Sequence, residues 1–198
     1  MATDYAQLTQ NLLRFYDFAN KVVLFVGAGS KQLLDDSAGA KKRIAIDQDV
    51  AALKELAANV AAKGMQDSVE VVGGRFEDVA QSGDVVYFEF CLHEMANPRK
   101  ALAHAKKLAP DIVVFDHSPE SEWIFYGAEE DKVLRSRHIM EQFGVRRCEK
   151  FHTEQRFANY GELLAKVGPQ GPLAIERIRR FSGAMNIVIP MDYELNLL

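Results

Sequence analysis

Gly27 and Gly29 directly follow the apolar run Val22–Val26, an arrangement typical of a nucleotide-binding turn. Glycine lets the backbone turn tightly and approach a ligand without a Cβ atom in the way. A second short apolar run, Ile44–Ile46, ends in Asp47, about twenty residues beyond the first strand. The Asp47 carboxylate could accept two hydrogen bonds from a ribose diol. These residues therefore predict a cofactor with an adenosine-like half, which Asp47 holds over the glycine turn.

Two histidines are the candidate acid–base groups, because each follows a predicted strand. His93 comes after the fourth strand and His117 after the fifth. The reference pKa of histidine lies near working pH, so either side chain could take a proton from a substrate hydroxyl or amine. A purely structural hydrogen-bonding role is the alternative for each. No metal site is predicted, since His93, Glu94 and His117 lack the spacing of metal ligands.

Predicted strands and helices alternate along the first two thirds of the chain, and they must position these residues. Strands are predicted at 22–26, 44–46, 69–72, 84–90 and 111–115, and helices at 6–18, 30–37, 50–63 and 98–108. This alternation favours a parallel sheet with helices on both faces. Ligands gather outside the carboxyl ends of such strands, which is where the glycine turn, Asp47 and both histidines fall.

The last third of the chain departs from this alternation. Residues 121–144 and 147–167 are predicted to be helical. Residues 173–181 and 185–189 are predicted as strands joined by Ser182-Gly183-Ala184, and so short a connection makes them an antiparallel hairpin. The expected fold class is α/β, a Rossmann-like, mostly parallel seven-stranded sheet that ends in this hairpin. One domain is expected, with an N-terminal helix (1–20), a cofactor-binding core (21–117) and a substrate cap with the hairpin (118–198).

The amino-acid composition of the chain limits the kinds of partner that the protein could bind. The 198 residues are 48% hydrophobic, enough for a packed core, and the formal net charge of −4 indicates no basic surface for nucleic acid. No apolar run approaches the ~20 residues of a membrane helix, and the first ten residues lack the pattern of a signal peptide. Two cysteines form no disulfide framework, so a cytoplasmic location is expected. A homodimer is compatible with the sequence.

The order of the motifs resembles that of the class I S-adenosylmethionine-dependent methyltransferases over residues 21–198. The first motif of that family, an apolar strand running into a GxGxG turn, is matched by Val22–Gly29, and its acidic residue after strand two by Asp47. Its fourth motif is an acidic-then-apolar strand, a segment like LHE and a proline-started helix. Asp84–Val86, Leu92–Glu94 and Asn97-Pro98 match it.

This resemblance implies S-adenosylmethionine as cofactor and methyl transfer to an oxygen, nitrogen or sulfur atom of a small molecule. The implied cofactor contacts are Gly27, Ala28, Gly29, Asp47, Gln48, Phe76, Glu77, Glu89 and Phe90. The implied catalytic residues are His93 and His117. Substrate contacts are expected from aromatic and basic residues, namely Tyr16, Trp123, Tyr126, Arg135 and Tyr160.

Three positions differ from the family's pattern. Phe25 stands where the family usually has an acidic residue, Lys31 replaces the third glycine of the turn, and Arg75 replaces the acidic residue beside the adenine. These differences keep open a second hypothesis, a methyltransferase-like binding or accessory subunit without catalysis. A third hypothesis, a nicotinamide-dependent oxidoreductase, would use the same glycines and Asp47. Gln32 counts against it, because the dinucleotide fingerprint needs a glycine at that position.

Overall fold

A seven-stranded sheet runs through the computed structural model, which describes residues 4–29, 37 and 39–198. Its strands, numbered along the chain, are β1 (Val22–Val26), β2 (Lys42–Asp47), β3 (Val69–Gly73), β4 (Val85–Glu89), β5 (Asp111–His117), β6 (Arg147–Asn159) and β7 (Met185–Leu197). The spatial order is β3-β2-β1-β4-β5-β7-β6, and the first five strands are parallel. The α/β fold class and the five parallel strands predicted from the sequence are confirmed.

Within the described residues, seven α-helices precede or lie between the strands. They are α1 (Tyr5–Phe15), α2 (Val50–Ala62), α3 (Pro98–Leu108), α4 (Glu122–Gly127), α5 (Glu130–Gln142), α6 (Tyr160–Val167) and α7 (Pro172–Ile178). The predicted helix over 30–37 lies almost entirely outside the described residues. None of the helices in the described part of the chain is long and apolar enough to cross a membrane.

The C-terminal third corrects the sequence prediction. The segment predicted as a helix over 147–167 forms β6 and then the short helix α6, and the strand predicted over 173–181 is mostly helix α7. The antiparallel pair is confirmed, but it joins β6 and β7. Because α6 and α7 lie between these two strands, the predicted three-residue hairpin turn is wrong.

The wrong predictions for β6 and α7 have the same cause: each element buries only one side. Strand β6 is an edge strand, and only Gln155 and Phe157 are fully buried along its 13 residues. Its charged residues therefore obscure the alternation of period two. In α7 the buried residues Ala174 and Ile178 are four positions apart, a spacing that places them on one face of a helix. A helix of seven residues is too short for this spacing to be recognised in the sequence.

The sheet is covered on both faces, as the sequence predicts. Along β1, Val23 and Phe25 face one hydrophobic cluster, and Leu24 and Val26 face the other. The first cluster also contains apolar residues of α1 and α2, and the second those of α3. This packing aligns the carboxyl ends of β1, β2, β4 and β5 at a single edge.

Candidate active site

A cavity of about 500 Å³ lies at the carboxyl ends of β1, β2 and β4. Its lining includes five of the residues predicted to contact a cofactor: Gly27, Asp47, Gln48, Phe76 and Glu77. The volume falls within the usual range of small-molecule sites. The sheet topology has therefore brought together groups from four separate segments of the sequence.

The glycine turn and Asp47 form a hydrogen-bonded unit beside this cavity. Asp47 Oδ2 accepts a hydrogen bond from the Gly29 N–H at 2.9 Å, and Oδ1 accepts one from the Asp49 N–H at 2.9 Å. A carboxylate has about four lone-pair positions, so capacity remains for a ligand diol. Asp49 caps helix α2 by accepting from the N–H groups of Ala51 and Ala52. Asp47 is thus not needed as the helix cap.

Gly27 cannot be replaced freely. Its φ of +74° lies in the left-handed region, and a Cβ atom there would lie 2.9 Å from Cys91 Cβ. At Gly29 a Cβ atom would lie 3.1 Å from Asp47 Oδ2. Ala28 between them is buried, so only its backbone could contact a ligand. Packing against Cys91, Ala52 and Asp47 therefore requires glycine at both positions.

Phe25 and Arg75, two of the three positions that differ from the family pattern, lie within the described residues. Phe25 is buried, and its ring packs edge-to-face against Tyr87 with centroids 4.9 Å apart. Arg75 is exposed, and its Nε lies 3.7 Å from Glu77 Oε2. Phe76 packs against Phe88 in the core, so its ring is largely covered by protein. Lys31 lies outside the described residues.

A second cavity, of about 380 Å³, adjoins the first and shares Gly27 and Glu94 with it. Its lining includes the predicted residues Glu89, Phe90, His93, His117 and Trp123. Phe90 has φ +45°, which is uncommon for a residue with a large side chain. Such a strained backbone directly after β4 marks a candidate functional position.

The His93 side chain is buried and held by Asp116. The distance from His93 Nδ1 to Asp116 Oδ1 is 2.5 Å, and the His93 N–H donates to Asp116 Oδ2 at 3.2 Å. Burial alone would lower the pKa of His93, but the hydrogen bond and charge of Asp116 outweigh it, and the net pKa is raised. Asp116 therefore fixes the ring so that Nε2 is the nitrogen left for other contacts.

His117 and Glu129 lie beside His93. The rings of the two histidines are 5.5 Å apart, and His117 Nε2 is 3.9 Å from Glu129 Oε2. Burial lowers the pKa of His117 to about 4 and raises that of Glu129 to about 7. One possible ligand atom from each of His93, His117 and Glu129 lies within 4.8 Å of the other two. Within the described residues, these three form a group that could hold a metal ion.

Glu129 was missed by sequence reasoning, which treated 121–144 as one helix. The structure breaks this segment between α4 and α5, where Ala128 has φ +55°. A Cβ atom on Gly127 would lie 3.1 Å from Glu129 Oε2, so the glycine makes room for the carboxylate. A glycine inside an apparent helix was the available signal.

The structure does not bring the other predicted substrate residues into these cavities. The Tyr16 hydroxyl donates to Asp111 Oδ2 at 2.6 Å, at the amino end of β5 and thus at the opposite edge of the sheet. Tyr16 thus lines neither cavity, and its hydrogen bond attaches the N-terminal segment to the sheet. Tyr126 is buried against Phe181. Arg135 is exposed and Tyr160 begins α6, and neither residue lines either cavity.

The strand order and the similarity to solved structures show the fold of the class I S-adenosylmethionine-dependent methyltransferases. Among similar solved structures is a candidate methyltransferase from Bacillus halodurans, with TM-score 0.68, 18% identity and 96% of each chain covered. An S-adenosylmethionine-dependent methyltransferase from Aquifex aeolicus has TM-score 0.59 and 16% identity, covering 98% of this chain and 89% of the other. A candidate RNA methyltransferase from Pyrococcus horikoshii has TM-score 0.63 and 15% identity, covering 96% and 81%.

No protein-family model and no curated protein matches this chain. The structural similarity at these low identities establishes the fold. Because one fold hosts many reactions, the activity has to be argued from the site.

Proposed function

We propose that this protein binds S-adenosylmethionine across the two adjoining cavities and transfers its methyl group to an oxygen, nitrogen or sulfur atom of a small molecule. The observation that carries this proposal is that Gly27 lines both cavities, so that the two cavities meet there. On one side lie nucleoside-recognition groups, and on the other lie acid–base groups. A ligand with an adenosine half and a reactive half would extend from one cavity into the other.

The first cavity supplies the adenosine contacts. Asp47 would accept hydrogen bonds from the ribose hydroxyls with the capacity left by its two backbone contacts. Glu77 lines the same cavity and would accept from an adenine amino group, and Gly27 lines it as well. The residues present therefore fit the nucleoside.

The second cavity supplies groups suited to a cation and to proton removal. When bound, S-adenosylmethionine supplies a methyl group already activated on a positively charged sulfur. The Glu89 carboxylate at the end of β4 would attract that positive half by Coulomb interaction. His93, oriented by Asp116, and His117 would take a proton from the acceptor if it must lose one. Alignment of the two reactants supplies most of the remaining catalysis.

A small-molecule acceptor fits the second cavity better than a polymer. The cavity is about 380 Å³ and is flanked by Trp123 and Phe90. The formal net charge of −4 also provides no general attraction for RNA. The cytoplasmic location and the homodimer remain predictions from the sequence.

One observation favours the alternative of a non-catalytic binding subunit. The buried ring of Phe25 occupies the position of the family's acidic residue and offers no charge to the methionine half of the cofactor. That alternative would retain cofactor binding without transfer to any acceptor.

The decisive experiment is calorimetric titration of the full chain with S-adenosylhomocysteine, and separately with NAD(H). We expect micromolar binding of S-adenosylhomocysteine alone. Asp47→Ala should weaken this binding at least about tenfold, a loss of about 1.4 kcal/mol or more, because a charge-assisted hydrogen bond is removed.

Asp67→Ala is the matched control, since Asp67 is an exposed aspartate in the turn before β3. Its affinity should equal that of the wild type. Binding of NAD(H) instead would overturn the proposal in favour of an oxidoreductase. Binding of S-adenosylhomocysteine without methylation of any thiol, amine or hydroxyl acceptor would favour the accessory subunit.

A further inference from the structure

We propose that His93, His117 and Glu129 bind a divalent first-row transition metal ion, such as Zn²⁺ or Fe²⁺, in the wall of the second cavity. The three residues come from different segments: the turn after β4, the end of β5 and the link between α4 and α5. One possible ligand atom from each lies within 4.8 Å of the other two. Small side-chain rotations would bring all three to bonding distances of about 2.0–2.2 Å from one ion.

Two atoms of this cluster are buried without a hydrogen-bond partner among the described residues. They are Nδ1 of His117 and Oε2 of Glu129. Glu129 is only 6% exposed, and its other oxygen, Oε1, accepts from Gln170 Nε2 at 2.8 Å. Leaving a buried polar atom unsatisfied is costly, and each such atom in a native structure needs an explanation. A cation between the carboxylate and the imidazoles would satisfy Glu129 Oε2.

The surroundings of His93 match those of a metal-binding histidine. A histidine ligand almost always donates its second ring N–H to a carboxylate, a backbone carbonyl or water, which fixes the ring and its tautomer. Asp116 is that carboxylate, 2.5 Å from His93 Nδ1. His93 Nε2 then faces Glu94, whose Oε1 lies 3.6 Å away. Gln170 holds the Glu129 carboxylate in the same way.

The ligand types identify the class of metal. Imidazole nitrogen favours zinc, iron, copper and nickel, whereas calcium and magnesium favour sites made only of oxygen. Two histidines and one carboxylate are the ligands of several catalytic metal sites, in which a further position stays open for water or substrate. Here that open position would face the cavity also lined by Gly27 and Phe90.

This location suggests a role that rests on the proposed function. A metal ion held there would lower the pKa of a bound thiol or hydroxyl, whose proton would pass to solvent. The lone pair that remains would form the new bond to the methyl carbon as the bond from that carbon to the sulfonium sulfur breaks and S-adenosylhomocysteine leaves. The histidines would then act as ligands rather than as general bases. Metal binding itself does not depend on the cofactor.

The test uses the full chain after chelation and dialysis, without cofactor. We expect calorimetric titration to show that one equivalent of Zn²⁺ binds. Titration with Co²⁺ should produce visible d–d absorption bands typical of nitrogen and oxygen ligands. Absence of stoichiometric binding by the wild type would overturn the proposal without the need for any variant.

Glu129→Gln and His117→Gln are the ligand variants. Each should weaken Zn²⁺ binding more than Asp116→Asn, for which a loss of about 10–100-fold is expected because Asp116 only orients a ligand. His152→Gln is the matched control, since this exposed histidine pairs with Asp192 on β7. Equal affinity of the ligand variants and the control would also overturn the site.

Glu129→Gln preserves side-chain shape and an acceptor for Gln170, and far-ultraviolet circular dichroism of each variant establishes that it is folded. Titration of the chelated wild type with S-adenosylhomocysteine is run in parallel. Failure of the cofactor titration alone would reject the proposed function, and failure of the metal titration alone would reject only the metal site.

Discussion

Gly27 stands at the junction of the two cavities, and both its backbone conformation and its missing side chain matter there. We expect Gly27→Ala to lower the free energy of unfolding by about 1–2 kcal/mol from the left-handed backbone alone. The clash with Cys91 at 2.9 Å should add to this loss and should also weaken S-adenosylhomocysteine binding. Chemical denaturation and calorimetry measure the two effects.

Gly64→Ala separates the cost of the left-handed backbone from the cost of the steric clash. Gly64 has φ +65°, but a Cβ atom there would have no heavy atom within 4 Å. This variant should show only the backbone loss and normal ligand binding. If both alanine variants had the same stability and affinity, the close contact with Cys91 would be unimportant.

At the scale of elements, Asp111 connects three segments at the amino edge of the sheet. It begins β5 and accepts hydrogen bonds from Tyr16, which follows α1, and from Arg146, which precedes β6. Burial alone would raise the pKa of Asp111, but these two partners outweigh it, and the net pKa is lowered. The ionised carboxylate therefore stabilises the fold.

Asp111→Asn should lower the free energy of unfolding by about 1–2 kcal/mol at pH 7, because Asp111 is partly exposed and its charged bonds are partly screened. A lowered folded-state pKa means that the stabilisation is present above the unfolded-state pKa of about 3.9 and is lost as pH falls through the folded-state value. The difference between wild type and variant should thus shrink below about pH 4 in urea denaturation. A constant difference over pH 2–7 would contradict this assignment, and Asp67→Asn is the exposed control.

The helix caps at the active edge show how local sequence positions an element. Asp49 caps α2, and Asn97 caps α3 by accepting from the Lys100 N–H at 2.9 Å, directly before Pro98. A capping residue and a proline lie next to the helix start that they mark, so they can be recognised in the local sequence. The predicted bounds of α2 and α3 therefore agree with the observed bounds to within one residue. The edge strand β6 carries no comparable local signal. The short helix α7 begins with a proline, Pro172, but has no side-chain cap, and both elements were misassigned.

At the scale of the whole molecule, β7 links the parallel core to the last strand. Leu195 is fully buried and lies in register with Phe115 of β5 and Glu149 of β6. Leu195→Ala should lower the free energy of unfolding by about 2–5 kcal/mol, because it opens a cavity in the core. Amide exchange in the distant strand β1 should accelerate in parallel if the sheet unfolds as one unit.

Met185→Ala, at an exposed position in the same strand, should change stability by no more than about 0.5 kcal/mol. Acceleration of exchange confined to β6 and β7 would show that the C-terminal pair unfolds separately. That result would separate the cavity residues Gln155 and Met191 from the parallel core.

Local sequence patterns are sufficient to predict the parallel part of the fold and the position of the glycine turn. Apolar runs bounded by turn residues are local signals, and parallel strands necessarily bring Gly27, Asp47 and His93 to one edge. Only the tertiary structure decided that Tyr16 faces the opposite edge and that Glu129 meets the two histidines. These outcomes depend on contacts between residues far apart in sequence, and on which face a broken helix presents. Neither is set by the order of neighbouring residues.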